Sequence, residues 1–104
     1  MSKANLKVIK PFVSKVLAAY PGSKIILFGS RAKGTHRRDS DYDILVISKL
    51  FDKVQFDKRA PALYRLKRDI PAAMDIICAT PAETKTRKIS VIDEALREGI
   101  EISA

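Results

Sequence analysis

Short runs of β-forming residues, separated by segments with helical spacing, restrict this chain to a small sheet covered by helices. Apolar residues at helical intervals predict a first helix within residues 5–20, which Pro21 and Gly22 end. The strand candidates that follow are residues 23–28, 41–47 and 72–79. With two more helices and a short final strand, this order predicts an α+β fold in two layers.

The two later helices are predicted from spacing and from a capping signal. In the first, over residues 53–69, the core-facing positions are Ala60, Leu63, Leu66 and Ile70. The second runs through 81–98, with or without an interruption, because Thr80 and Glu83 form the pattern of a capping box. Gly99 ends it, and the residues after it supply the final strand.

Composition sets the class of protein before any motif is considered. The chain has 104 residues, of which 46% are apolar, so residues 1–104 are expected to form one domain with its own core. Its apolar runs are too short to span a bilayer, and its N-terminus lacks the pattern of a signal peptide. We therefore expect a soluble, cytoplasmic protein with no membrane association. The single cysteine, Cys78, is expected in the core.

The charge of the chain is strongly positive. Twenty Lys and Arg residues against 12 Asp and Glu give a net charge of +8. A basic surface favours polyanionic partners, either nucleic acid or the phosphates of a nucleotide, although it also serves solubility.

Three aspartates stand in segments that are otherwise apolar. Asp41 and Asp43 are two residues apart in a strand candidate, so their side chains are expected on one face. Asp75 lies in a different apolar strand candidate. Burying a carboxylate without compensation is costly, and Mg²⁺ resolves this by taking oxygen ligands from carboxylates and substrate phosphates. If the two strands are neighbours, the three acids suit two-metal phosphoryl transfer; the alternative is that they are solvated.

A glycine-containing basic loop precedes the aspartate pair. Gly29 after a strand allows close approach of the backbone to phosphate, and Ser30 can open a helical turn whose N–H groups favour anions. The loop lacks the spacing of a Walker phosphate loop. Its basic residues form either a triphosphate or nucleic-acid patch or a solvated face, and these are Arg31, Lys33, Arg37 and Arg38. His36 is expected to be an exposed loop residue.

Together the loop and the acids read Gly-Ser, ten residues, then Asp-Tyr-Asp. This composite resembles the signature of the nucleotidyltransferase superfamily that includes DNA polymerase beta. LFGSRAKG followed by DSDYDILV is most similar to the smallest branch, the minimal nucleotidyltransferases (MNT domains). The resemblance extends over almost the whole chain and implies a small mixed sheet with helices packed on it.

The resemblance also implies roles for individual residues. Asp41 and Asp43 would bind Mg²⁺, with two ions expected, and Asp75 would complete the metal site and help to activate an attacking hydroxyl. Gly29 and Ser30 would hold the β- and γ-phosphates of a nucleoside triphosphate, expected to be ATP, and Arg31 is assigned to the same nucleotide site. The implied reaction is transfer of a nucleoside monophosphate with release of pyrophosphate.

Larger members of the family carry an extra domain that grips the acceptor, and this chain leaves no room for one. The resemblance therefore implies an acceptor that binds through a partner chain or is itself a protein. Minimal domains of this kind resemble the antitoxin half of HEPN/MNT toxin–antitoxin pairs, in which a HEPN ribonuclease is adenylylated. Two other interpretations remain. One is a non-catalytic module that neutralises its partner by contact through apolar residues such as Phe51 and Phe56; the other is a basic nucleic-acid-binding domain.

Overall fold

A computed structural model describes residues 6–35 and 40–103, and this part of the chain is built around a four-stranded mixed sheet. The strands are β1 (Lys24–Phe28), β2 (Tyr42–Ile47), β3 (Met74–Ala79) and β4 (Ile100–Ile102). In the order β3-β2-β1-β4, β2 and β3 run parallel, and β1 is antiparallel to both of its neighbours. The α+β fold and the mixed sheet expected from the sequence are confirmed, including the short final strand.

One face of the sheet is covered by α1 (Lys10–Ala19) and α3 (Ala60–Leu66). Pro11 lies in the first turn of α1, where its missing N–H costs no intrahelical hydrogen bond. Side chains from both helices and from alternate strand positions form the larger core cluster on this face. Its fully buried members are Ile9, Phe12, Val13, Val16, Leu27, Ile44, Val46 and Leu63.

The other face carries α4 (Pro81–Thr86) and α5 (Ser90–Glu98). A smaller buried cluster joins α5 to the sheet, and it consists of Phe28, Leu45, Ile47, Ala79, Ile92 and Ala95. We call this side of the sheet the α5 face. Since side chains alternate along a strand, Asp43 and Asp75 belong to the α5 face as well.

Two segments with predicted helices contain a residue with a positive φ. The segment predicted as a helix over 53–69 is helical only in α3, and single 3₁₀ turns lie at Lys49–Phe51 and Phe56–Lys58. Lys53 has a φ of 74°, which no α-helix accommodates. The interruption that the sequence left open within 81–98 occurs at Arg87, whose φ is 52°.

Several local expectations are borne out by the contacts. The capping box at the start of α4 forms as predicted: the Glu83 N–H donates to Thr80 Oγ1 at 3.2 Å, and the Thr80 N–H donates to Glu83 Oε1 at 2.9 Å. Cys78 is buried, and burial raises the pKa of its thiol to about 12. Phe51, by contrast, is not available as an interface residue, because it is buried with its ring centroid 5.1 Å from that of Tyr20.

The structure also bears on the expectation about membranes. Within the described ranges, no helix combines the length and the apolar character needed to cross a bilayer.

Candidate active site

Asp43 and Asp75 are paired across two neighbouring strands. They are Cα partners in the parallel register of β2 and β3, so both carboxylates project from the α5 face at adjacent positions. The sequence-based condition for a shared site, that the two strands lie side by side, is therefore met. Asp43 is half-buried, whereas Asp75 is exposed, so only Asp43 carries a substantial burial cost.

Gly29 lies directly against the Asp43 carboxylate. It follows the last residue of β1, Phe28, whose register partner is Asp43. A Cβ at position 29 would overlap Asp43 Oδ2, and the φ of Gly29 is +72°. Because glycine avoids both the overlap and the backbone strain, the chain can turn from β1 into α2 (Gly29–Lys33) beside this acid.

Negative charge is concentrated around Asp43. Burial raises the pKa of Asp43, and the neighbouring carboxylates of Asp75, Asp41 and Glu94 raise it further. Asp41 is exposed and immediately precedes β2, and Glu94 is exposed on α5. A group of like charges that resists ionisation of its most buried member is the environment in which a bound cation is most stabilising.

The donor set can be compared with what Mg²⁺ requires. Of the residues with described positions, no three His, Cys, Asp or Glu side chains are grouped to hold an ion by themselves. Mg²⁺ is nevertheless commonly bound by one or two carboxylates, with substrate phosphates and water completing its octahedron. The Asp43–Asp75 pair fits that arrangement, in which a nucleotide brings the remaining ligands.

Ser30 and Arg31, the other members of the expected nucleotide site, both lie in α2. Arg31 Nε and Nη2 donate to the backbone oxygen of Ser40 at 3.1 and 2.8 Å, and its guanidinium carbon lies 4.2 Å from the centroid of the Tyr42 ring. Tyr42 is buried on the face opposite Asp43, so these contacts direct the guanidinium away from the acids. They tie α2 to the segment that enters β2.

Lys33 and Glu98 form an ion pair that the sequence did not indicate. The contact joins α2 to the last turn of α5, and the hydrogen bond to Glu98 raises the pKa of Lys33. Glu94 is one turn before Glu98 on the same helix. The i, i+4 spacing of these acids is visible in the sequence, but their position beside α2 depends on long-range packing of α5.

Three residues of the predicted basic loop, His36, Arg37 and Arg38, lie outside the described residues, as does Asp39. The described part of the site therefore consists of the turn at Gly29, α2, the paired aspartates and the acids near them. A glycine turn in contact with one of two paired carboxylates is an arrangement suited to phosphoryl-transfer chemistry.

The comparison with protein families agrees with this arrangement. Residues 7–98 match the model of the nucleotidyltransferase domain, so the chain belongs to that family. The site residues identified above all fall within the matched range. The chain is thus a nucleotidyltransferase, as its Gly-Ser and Asp-Tyr-Asp motifs indicate.

Two relatives come from Methanocaldococcus jannaschii. "Putative protein adenylyltransferase MJ0604" is 47% identical over 51 residues, which are 46% of this chain and 51% of that protein. The match thus spans about half the length of that relative. "Putative protein adenylyltransferase MJ0141" is 27% identical over 99 residues, covering 93% of this chain and 97% of the relative.

Solved structures share the same fold. A structure described as "a putative nucleotidyltransferase from Sulfolobus solfataricus" superposes with a TM-score of 0.68 at 27% identity, over 92% of this chain and 77% of that one. A second, of "the toxin-antitoxin with AMP-PNP", gives a TM-score of 0.64 at 21% identity, over 88% of this chain and 68% of the other. Both match the α+β architecture described above.

Proposed function

We propose that this chain is a Mg²⁺-dependent adenylyltransferase that transfers AMP from ATP to a hydroxyl group of a partner protein. The observation that carries the proposal is the register of Asp43 opposite Asp75, beside the turn at Gly29. The names of the two M. jannaschii relatives support a protein acceptor.

Each residue has a proposed part in binding. Asp43 and Asp75 hold Mg²⁺ together with the nucleotide phosphates, Asp41 adds a third carboxylate, and two ions are expected. Backbone N–H groups at Gly29 and Ser30 bind the β- and γ-phosphates. When bound, the metal neutralises the charge of the phosphates and of the departing pyrophosphate.

The proposed reaction is an in-line displacement at the α-phosphorus. The acceptor oxygen forms a bond to phosphorus as the bond to pyrophosphate breaks, and the hydroxyl proton passes to the carboxylate of Asp75. The chain contributes position and charge rather than a covalent intermediate. The fixed pairing of β2 and β3 keeps the base next to the metal-binding Asp43.

For the acceptor we propose a HEPN ribonuclease, which makes this chain an antitoxin. This choice follows the resemblance of the motifs to MNT antitoxins. The resemblance assigns Arg31 to the nucleotide site. Because its guanidinium is held by the Ser40 backbone oxygen and the Tyr42 ring, its proposed part is to anchor α2 beside that site. The ATP and the acceptor are then brought together at the α5 face.

The proposal is tested with ATP radiolabelled at the α-phosphate, Mg²⁺ and the product of the neighbouring gene. We expect label to appear on the partner protein. Asp43→Asn and Asp75→Asn should each reduce the rate by about a hundredfold or more, because each removes a charge that stabilises the transition state. Chelation of the metal should abolish labelling.

Asp57→Asn is the matched control, since it removes an exposed carboxylate in the 3₁₀ turn at Phe56–Lys58 and should leave the rate unchanged. Equal labelling by wild type and Asp43→Asn would refute the catalytic role. Inhibition of the partner that persists in both Asp→Asn variants and in chelator would instead establish the non-catalytic binding module. Metal-independent, salt-sensitive RNA binding would favour the nucleic-acid interpretation.

A further inference from the structure

A groove of about 870 Å³ opens on the α5 face, at the end of β2 that is farther from Asp43. Its floor is formed by Ile26 of β1 and Ile47 of β2, and Leu96 of α5 forms a wall. Leu50, in the turn after β2, lines the opening and is 58% exposed. We call this the distal groove.

The distal groove exposes apolar surface that the fold does not cover. Ile26 and Leu96 are only partly buried against the smaller core cluster, and both line the groove. Leaving such side chains in water costs free energy in proportion to their apolar area. A contiguous apolar surface of this kind, bordered by polar residues, is typical of an interaction site.

The border of the distal groove is basic. Lys24, Lys49 and Lys85 line it, with Glu101 as the acidic member. Within residues 6–35 and 40–103, none of the three lysines takes part in an ion pair. The groove therefore combines an apolar floor with cationic side chains whose charge is not neutralised by the described part of the fold.

We infer that the distal groove binds a short segment of the acceptor protein in which apolar side chains alternate with carboxylates. The apolar side chains would cover Ile26, Ile47 and Leu96, and the carboxylates would pair with the lysines. This assignment of the groove to the acceptor rests on the proposed function; the recognition of an acidic, apolar segment rests on the groove alone.

The position of the groove suits an acceptor that must also reach the aspartates. Ile47 is four residues after Asp43 on the same face of β2, about 13 Å along the strand. An extended segment of about four residues spans that distance. A protein docked in the distal groove can thus present a nearby hydroxyl at Asp43 and Asp75, and binding remote from the reacting atoms supplies orientation.

The test uses a library of random peptides displayed on phage, selected on the full chain in the presence of chelator and without ATP. We expect the enriched peptides to combine apolar residues with Asp or Glu. Synthetic copies should bind the Lys49→Glu/Lys85→Glu double variant at least tenfold more weakly than wild type. Leu50→Asp, a substitution at an exposed position, should weaken peptide binding by a similar factor. Circular dichroism checks that this variant keeps its fold.

Lys15→Glu/Lys58→Glu is the matched control, because both lysines are exposed and do not line the groove. The two substitutions change the net charge by the same amount as the test variant. It should bind the peptides as wild type does. Enrichment of peptides without acidic residues, or equal binding by all variants, would overturn the inference. Peptide binding needs no catalysis. Peptide binding by a chain that transfers no AMP to the partner protein would therefore refute the proposed function alone. AMP transfer to the partner by a chain that binds no peptide would refute the inference about the groove alone.

Discussion

Gly29 meets two constraints that no other residue type satisfies together. Its φ of +72° is strained for a side-chain-bearing residue, and a Cβ would overlap Asp43 Oδ2. We predict that Gly29→Ala displaces the Asp43 carboxylate and weakens binding of ATP with Mg²⁺ by at least tenfold, alongside a loss of about 1 kcal/mol in unfolding free energy. Calorimetric titration and urea denaturation measure the two effects.

Gly22→Ala separates backbone strain from the local overlap. Gly22 has a φ of +80°, but a Cβ there would meet no atom within 4 Å. This variant should lose a similar amount of stability and keep the nucleotide affinity of the wild type. If both variants bind ATP equally well, Gly29 acts only through its backbone conformation, and its contact with Asp43 has no part in binding.

The individual acids could be predicted because a carboxylate is conspicuous in an apolar strand. Asp43 and Asp75 were recognised in this way, and the register places them opposite each other. The burial of Arg59 could not be predicted, since a basic residue before an amphipathic helix is usually solvated. Its guanidinium is instead held by groups distant in the sequence, including Glu83 and the Cys78 backbone oxygen. The closeness of Glu94 to Asp43 could not be predicted either, since it depends on the long-range packing of α5.

Among the helices, the break between α4 and α5 requires a backbone conformation that is strained for the residue at that position. Arg87 adopts a left-handed φ of 52° at the end of α4, a position that glycine usually occupies. We predict that Arg87→Gly raises the free energy of unfolding by about 0.5–1 kcal/mol, because relief of strain outweighs the loss of an exposed ion pair with Asp93. Urea denaturation provides the measurement.

Arg97→Gly is the comparison for this prediction. Arg97 also pairs with Asp93, but it lies inside α5 with helical geometry, so glycine should lower the unfolding free energy by about 1 kcal/mol. Effects of opposite sign would establish that the backbone conformation at position 87 decides the outcome. A loss of stability in both variants would contradict the prediction.

The elements themselves were largely predictable, and their limits were not. The capping box at Thr80 has a pattern that the sequence displays locally, so the start of α4 was found. The positive φ values of Lys53 and Arg87 carry no glycine or asparagine signal. Because no residue in the local sequence marks these two conformations, α3 was predicted too long and the break before α5 could not be located.

For the whole molecule, Arg59 joins three parts of the fold that are remote in sequence. Its Nε donates to the Val54 backbone oxygen at 2.9 Å, and its Nη1 donates to the Cys78 oxygen at 3.2 Å and to Glu83 Oε1 at 2.6 Å. The residue thereby connects the turn before α3, the end of β3 and the start of α4. With 6% of its side chain exposed, Arg59 has no access to water as a substitute partner.

This junction predicts a specific dependence of stability on pH. The hydrogen bond from Arg59 holds the pKa of Glu83 below its usual 4.5, and the bonds at Thr80 lower it further against the opposing effect of burial. A carboxyl whose pKa is lower in the folded state stabilises the fold above its unfolded pKa. That contribution is lost as the pH falls below 4.5 through the folded value.

Glu83→Gln is therefore expected to reduce the free energy of unfolding by about 1.5–3 kcal/mol at neutral pH, the range for hydrogen bonds to charged groups. The difference from wild type should shrink as the pH falls well below 4.5, because Glu83 becomes neutral in both the folded and unfolded wild type. Urea denaturation over a series of pH values measures it. Glu101→Gln, at an exposed position in β4, should show a small difference at every pH. A Glu83→Gln deficit that stays constant into acid would contradict the prediction, because the charge of Glu83 would then contribute nothing to it.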